Sequence, residues 1–185
     1  MTATPLTDED VVSAQAGDGD ALRRVYEVLA PAVAGYLRLR GSDDPEGSTQ
    51  DVFLTVFRRL DRVKGGVTGL RTFTFSVAHA RLVDEQRRRA RRPRLVELEP
   101  QTDAGTSASA EEEALAVISN ERVIESLSCL NDDQRAVLML RIVGQLSLDE
   151  TAKTVGRSVG AVKQLQRRAL LALRDRIHQA DGVTP

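Results

Sequence analysis

The chain has 185 residues, of which 41% are hydrophobic and 29% charged, proportions that exclude a disordered or fibrous protein and indicate one globular domain or two small ones. No apolar run approaches the ~20 residues of a membrane span, the first ten residues are too acidic for a secretory signal, and the single cysteine excludes an internal disulfide. We therefore expect a cytoplasmic protein with no membrane partner.

The net charge is −1, but charged residues are unevenly distributed along the chain. Residues 81–94 carry seven arginines against two acids, and residues 153–176 carry seven basic residues against one acid. Residues 97–113, between them, carry six acids and no base. Basic blocks of this kind are either solvated helix faces or anion-binding surfaces. Two blocks that each close a helical pattern favour two anion-binding surfaces joined by a segment that repels anions.

The first half predicts four helices, because apolar residues recur at helical spacing and the sustained alternation typical of strands is missing. Asp20 can cap the first helix, and Pro31 ends or kinks it and can begin the second. Residues 41–48 and 64–69 are predicted to be a loop and a flexible turn on either side of the third helix. The fourth helix is expected over about residues 70–92.

The second half is helical again, with a helix predicted over residues 111–127. Two capping boxes then mark the starts of two more helices. Gly156 stops the second of these, and a last helix starts at Ser158 and runs to about Ile177. The capping boxes pair Asn131 with Gln134 and Ser147 with Glu150.

Residues 94–112 are predicted to be a linker, because this stretch is small, polar and contains Gly and Pro. The expected fold is therefore all-α, with two small helical domains joined by that linker. A four-helix N-terminal domain is expected over residues 8–93 and a helix-turn-helix C-terminal domain over residues 113–178.

The sharpest local signal lies in residues 148–173, where a short helix, a glycine turn and a longer basic helix form a helix-turn-helix. Ala152 allows close packing, Gly156 supplies the positive φ of the turn, and Val162 faces back onto the first helix. The second helix can then contact phosphates and bases. The alternative is an ordinary helical hairpin with a solvated basic face. The candidate DNA-binding residues are Arg157, Ser158, Lys163, Gln164, Arg167 and Arg168.

The fourth predicted helix begins with aromatic residues and ends in an arginine cluster. Such a helix can lie along a phosphate backbone, and an exposed aromatic can stack on an unpaired base, worth ~1–3 kcal/mol. The alternative is that Phe73 and Phe75 belong to the core, and we expect at least one of them to do so. The candidate contacts are Arg71, Phe73, Phe75, Arg81, Arg87, Arg88 and Arg91.

Residues 46–60 place polar side chains beside an apolar face, which indicates either a partner-docking helix or a plain core helix. Catalytic constellations are missing: no Gly-rich phosphate loop follows a strand, and His79 and His178 lack a nucleophile or metal-ligand context. We expect no enzyme, no cofactor and no bound metal. The candidate docking residues are Gln50, Asp51, Phe53, Phe57 and Arg58.

Together these motifs resemble the extracytoplasmic-function (ECF) subfamily of bacterial RNA polymerase sigma factors over about residues 8–178. Residues 44–63 (DPEGSTQDVFLTVFRRLDRV) resemble the family's helix that docks on the polymerase clamp. Residues 72–93 (TFTFSVAHARLVDEQRRRARRP) resemble its −10 recognition and melting helix, and residues 126–177 resemble its −35 reading domain. The chain departs from the family pattern at Phe73, where Trp is frequent, and at Ala80, where an Asn is implicated in holding a flipped base.

The resemblance implies a sigma factor that binds core RNA polymerase and directs promoter-specific transcription initiation. It implies docking on the clamp helices and flap of the polymerase, −35 readout by the helix-turn-helix, and capture of flipped −10 bases by the fourth helix. It also implies promoter DNA and an anti-sigma factor as partners. The alternative is a stand-alone helix-turn-helix regulator that binds duplex DNA without polymerase.

Overall fold

The computed structural model describes residues 4–91 and 123–180, and every secondary-structure element in those two parts is a helix. This confirms the predicted all-α fold. A helical segment at residues 123–127 begins the second part. The helices are α1 (Asp8–Gln15), α2 (Gly19–Leu39), α3 (Pro45–Phe57), the 3-10 helix Leu60–Arg62, α4 (Gly66–Arg91), α5 (Asp132–Ile142), α6 (Leu148–Val155) and α7 (Val159–Ala180).

Helix α1 precedes the first helix that the sequence predicts. Thr7 and Asp10 form a capping box: the Thr7 hydroxyl accepts the Asp10 N–H at 3.2 Å, and the Asp10 carboxylate accepts the Thr7 N–H at 2.8 Å. Val11 and Ala14 are buried, so one side of this short helix belongs to the core. Its three apolar residues, Val11, Val12 and Ala14, lie within four positions, which gives too weak a periodicity to identify such a helix.

Helix α2 is one continuous helix, so the prediction that Pro31 separates two helices is wrong. Proline removes the hydrogen bond to the carbonyl of Glu27, but both residues are exposed, where water can satisfy that carbonyl. Buried Val33 continues the apolar face beyond the proline. The helix also begins earlier than expected, because Asp18 rather than Asp20 is the cap and accepts the N–H three residues on at 2.7 Å.

Most of the predicted flexible turn at residues 64–69 is helical, since α4 begins at Gly66. The Asp8 carboxylate accepts the Val67 N–H at 2.8 Å, so α1 caps the start of α4. A side chain at Gly69 would collide with the carbonyl oxygen of Lys64, which accounts for the glycine there.

In the second part both predicted capping boxes are present, at Asn131 with Gln134 and at Ser147 with Glu150. Gly156 ends α6 in the left-handed region at φ 66°, as the turn requires. The predicted linker 94–112 and most of the predicted helix 111–127 lie outside the described residues, so the expected domain boundaries stay predictions.

The two described parts pack against each other. One hydrophobic cluster contains buried residues of both, among them Leu37 and Leu82 from the first part and Leu130 and Leu138 from the second. Arg40, at the end of α2, is only 4% exposed and donates a hydrogen bond to the carbonyl of Asp132 at 2.9 Å. Within the described residues, every helix is too short or too polar to cross a bilayer.

Candidate nucleic-acid interface

Helices α6 and α7 form the predicted helix-turn-helix. The Ser147 hydroxyl accepts the Glu150 N–H at 3.2 Å, and the Glu150 carboxylate accepts the Ser147 N–H at 2.6 Å. Ala152 and Val162 are both buried and share a small core with Val137 of α5. The small residue, the glycine turn and the apolar residue therefore do what the sequence analysis predicts of them, and they fix α7 against α6.

Helix α7 presents a polar face to solvent. Its buried side is set by Val162 and Ala169, seven residues and thus two turns apart, and both are fully buried. The opposite side is exposed and carries three cations and an amide, the groups that contact phosphates and the major-groove edges of guanine and adenine. These exposed residues are Lys163, Gln164, Arg167 and Arg168.

Two candidate residues at the start of α7 already have partners within the protein. Arg157 forms an ion pair with Asp133 of α5 at 2.6 Å, and the Ser158 hydroxyl accepts the Ala161 N–H at 3.2 Å. Both side chains are exposed, so DNA can still reach them. The ion pair of Arg157 and the hydrogen bond to Ser158 do not require DNA, so both residues also have a structural role.

The structure separates the two aromatic residues of α4. Phe75 is 0% exposed and packs edge-on against Tyr36, with ring centroids 5.7 Å apart. Its candidate role as a DNA contact is therefore wrong for this fold, because a base cannot reach its ring unless the core opens. Phe73 is partly buried and lines a cavity of about 680 Å³. One of the pair is core and the other borders an accessible cavity.

The cavity beside Phe73 lies where the start of α4 meets α6. Three cations from the 3-10 helix and the residues around it border it, and the side chains of Glu150 and Lys153 reach it from α6. A cavity with an aromatic edge and a cationic rim can accept an unpaired nucleotide. The three cations are Arg59, Arg62 and Lys64.

The arginines of α4 fall into two groups. Arg71 is half-buried, and burial lowers the pKa of its guanidinium; Arg81 forms an ion pair with Asp51 of α3. Arg87, Arg88 and Arg91 are exposed near the end of the helix, where they can follow a phosphate backbone. The Arg81–Asp51 pair joins two residues that the sequence analysis assigns to different surfaces.

Two of the predicted docking residues, Gln50 and Arg58, are exposed, and so is Leu54, which the sequence does not predict for docking. Phe53 is 2% exposed and packs against Tyr26 with ring centroids 4.8 Å apart, so its predicted docking contact is wrong and it is a core residue. Leu54 is 54% exposed and lies between Gln50 and Arg58 at spacings of four. The spacing of four residues from Gln50 to Leu54 and from Leu54 to Arg58 is the sequence signal by which Leu54 could have been predicted to share their exposed face. Phe57 is partly buried and Asp51 is half-exposed.

Comparison with known proteins gives consistent matches. Residues 126–175 match the family model described as Sigma-70, region 4. ECF RNA polymerase sigma factor SigD of Mycobacterium tuberculosis strain H37Rv is 36% identical over 177 residues, covering 92% of this chain and 83% of SigD. ECF RNA polymerase sigma factor BldN of Streptomyces coelicolor is 29% identical, covering 91% of this chain and 67% of BldN.

The fold also matches a solved structure, that of CnrH in complex with the cytosolic domain of CnrY. The TM-score is 0.66 at 22% sequence identity, with 93% of this chain and 97% of the other covered. This likeness extends over both described parts and supports the all-helical two-domain architecture.

Proposed function

Because the chain belongs to the ECF family of RNA polymerase sigma factors, we propose that it directs core polymerase to promoters by reading a −35 element with α7 and a −10 element with α4. The observation that carries this proposal is the presence, in one chain, of an exposed basic helix in a helix-turn-helix and a second helix that joins an aromatic-edged cavity to an arginine cluster. A regulator that binds only duplex DNA has no use for the second feature.

The −35 contact follows from the exposed face of α7. Arg167 and Arg168 can each pair with guanine or neutralise a phosphate, and Gln164 can pair with adenine in the major groove. Arg157, paired with Asp133, and the capping Ser158 fix the start of α7, and both are exposed candidates for further DNA contacts. The buried face of the helix leaves only this side for DNA.

The proposed −10 contact has two components, one to the phosphate backbone and one to a base. Arg87, Arg88 and Arg91 are the candidates for backbone contacts that raise affinity and make it salt-dependent. Phe73, at the cavity edge, is the candidate for stacking on a flipped base. Such capture has to offset the few kcal/mol that unpairing and unstacking cost, and stacking supplies ~1–3 kcal/mol of this per base.

For polymerase docking we propose the exposed stripe formed by Gln50 and Leu54 on α3 and by Arg58 at its C-cap. Its apolar centre with polar flanks is the composition of a small protein–protein contact. Core polymerase acts in the cytoplasm, where we place this protein. The anti-sigma partner is proposed from the family resemblance.

The deciding experiment combines the purified protein with core polymerase of the source organism on fragmented genomic DNA and sequences the transcripts. We expect start sites that share two upstream elements, which core enzyme alone does not select. Binding to those promoters without polymerase, together with no stimulation of initiation, would support the stand-alone regulator instead.

A further inference from the structure

Three residues of α4 that lie four positions apart contact α3 or the turn that precedes it. They are Arg81, Glu85 and Arg89, and residues at this spacing share one face of a helix. The turn joins α2 to α3 through residues 40–44, and α3 carries most of the stripe that we propose for polymerase docking. We call these three residues of α4 the α3-facing residues.

Glu85 holds the turn with both oxygens of its carboxylate. The Ser42 hydroxyl donates to Oε2 at 2.8 Å, and the Asp43 N–H donates to Oε1 at 2.7 Å. The Glu85 side chain is only 18% exposed, so water competes little for these bonds. Hydrogen bonds to a carboxylate are stronger than those between neutral groups. A single side chain of α4 therefore fixes two consecutive residues of the turn that leads into α3.

The two α3-facing arginines extend this contact in both directions along α4. The Arg89 guanidinium donates through Nε to the Asp43 carboxylate at 3.1 Å and through Nη2 to the Gly41 carbonyl at 3.3 Å. At the other end, Arg81 forms its ion pair with Asp51, in the second turn of α3. The contacts therefore extend over about two turns of α4, and they hold α3 from its preceding turn to Asp51.

Two of the candidate phosphate contacts of α4 lie on a different side of the helix. At about 100° per residue, Arg87 and Arg91 lie about 160° and about 120° around the helix axis from Glu85, in the same sense. Phe73 and Arg91 are about five full turns apart and therefore share one side. The arginine cluster is thus divided between the side of Phe73 and the side that contacts α3.

From this division we propose that Glu85 and Arg89 are positioning residues, which hold α3 in a fixed orientation to α4 without contacting DNA. Docking of α3 on polymerase then sets where the Phe73 side of α4 meets the −10 strand. The inference rests on the proposed function, and it assigns the ion pair of Arg81 to the same task. It follows that Arg87 and Arg89, two positions apart, should differ in their effect on DNA binding.

The first test separates positioning from phosphate contact by salt dependence. Core polymerase is combined with the wild type, Arg89→Ala or Arg87→Ala, and binding to a fluorescent fork probe with a single-stranded −10 element is titrated at several salt concentrations. Arg87→Ala should lower the salt slope by about 1. Arg89→Ala should weaken binding by the same factor, about threefold, at every salt concentration. A salt slope lowered by about 1 in Arg89→Ala would show a phosphate contact and overturn the proposal, as would binding identical to that of the wild type.

The second test asks whether Glu85 acts on promoter opening and not on docking itself. Glu85→Ala leaves the side chains of the docking stripe in place, so its affinity for core polymerase should stay within about twofold of the wild type. Opening of a mapped promoter, measured by permanganate reactivity of unpaired thymines, should fall by about tenfold through the lost hydrogen bonds. Glu9→Ala, which removes the same charge from an exposed position on α1, is the control and should behave as the wild type.

Normal promoter opening by folded Glu85→Ala would overturn the proposal. So would parallel losses of polymerase affinity and opening with a lower melting temperature, because these would indicate general destabilisation. Glu85→Gln keeps one carbonyl oxygen as an acceptor and should open the promoter to an intermediate extent. Absence of polymerase binding and of promoter opening by the wild type would instead refute the proposed function, and the inference with it.

Discussion

The hydroxyl of Tyr36 lies 2.9 Å from Nδ1 of His79, and this hydrogen bond joins α2 to α4 within the packed interior. Burial raises the pKa of Tyr36 to about 12 and lowers the pKa of His79 to about 4. The Arg40 guanidinium lowers the His79 pKa further, while Asp133 from α5 acts to raise it. His79 is therefore a neutral, structural histidine at the contact between α2 and α4.

His79 makes stability depend on pH. In the unfolded chain the pKa of His79 is near the ordinary 6.5. As the pH falls, His79 is therefore protonated in the unfolded chain at a higher pH than in the folded protein. Stability should fall as the pH drops from 6.5 towards 4, by roughly 2 kcal/mol at about pH 5 relative to pH 7. His79→Gln removes the titration and should flatten this part of the profile. Urea denaturation of both proteins across this range measures the difference, and parallel profiles would refute it.

Gly156 should be intolerant of a side chain. Its φ of 66° is left-handed, so Gly156→Ala should cost about 1–2 kcal/mol of unfolding free energy. Gly160 is the matched control, because it lies in the first turns of α7 and a Cβ there meets only the Ser158 hydroxyl, at 4.0 Å. Gly160→Ala should be neutral or stabilising by about 0.5–1 kcal/mol. Equal losses in the two variants, measured by chemical denaturation, would contradict the left-handed turn.

Leu54 should contribute to polymerase affinity without contributing much to folding. Leu54→Glu places a charge on an exposed position and should weaken binding to core polymerase by about tenfold, or about 1.4 kcal/mol, with thermal stability nearly unchanged. Val12→Glu, at an exposed apolar position on α1, is the control and should bind normally. Fluorescence titration with core polymerase provides the measurement. Normal affinity of folded Leu54→Glu would exclude α3 from the docking surface.

Phe53, unlike its neighbour Leu54, should contribute to folding and make no direct contact with polymerase. It is buried against Tyr26, and Phe53→Ala should destabilise the first part by about 3–5 kcal/mol through the cavity that it leaves. If this variant loses polymerase binding, we expect the cause to be unfolding and not the loss of a direct contact. Circular dichroism during thermal denaturation separates the two effects, and an undisturbed melting temperature would show that Phe53 is not in the core.

Arg168 should be a DNA contact of the assembled polymerase complex. Arg168→Ala should weaken binding to a mapped promoter by about 1–3 kcal/mol, with relaxed preference at one −35 base, if the side chain contacts that base. If it contacts a phosphate, the loss should be uniform across sequences and the salt slope should fall by about 1. Arg176→Ala is the control, because Arg176 lies about two turns beyond Arg168 on α7 and its side chain pairs with Glu125 of the segment 123–127 at 3.3 Å. Identical affinities for Arg168→Ala and wild type at every salt concentration would exclude the contact.

The predictions made from sequence succeed where the determinants are local. The capping boxes at Ser147 and Asn131 depend on side chains three residues apart, and the turn at Gly156 depends on one backbone angle. The exposed face of α7 follows from its own periodicity. The caps and the turn depend on residues within about one helical turn, and the exposed face depends on residues of one helix, so a single sequence carries all three signals.

Tertiary structure alone decides which members of each apolar pair are buried. Phe53 and Leu54 are adjacent, and Phe73 and Phe75 are separated by one residue. In neither pair do the residue types say which member a facing helix will cover. Burial depends on residues such as Tyr36 and Tyr26, brought from another helix. The same holds for the continuity of α2 through Pro31 and for the contact of α4 with α6. Helical periodicity and capping are encoded within a few residues, whereas the coverage of a face is set by helices far away in the chain.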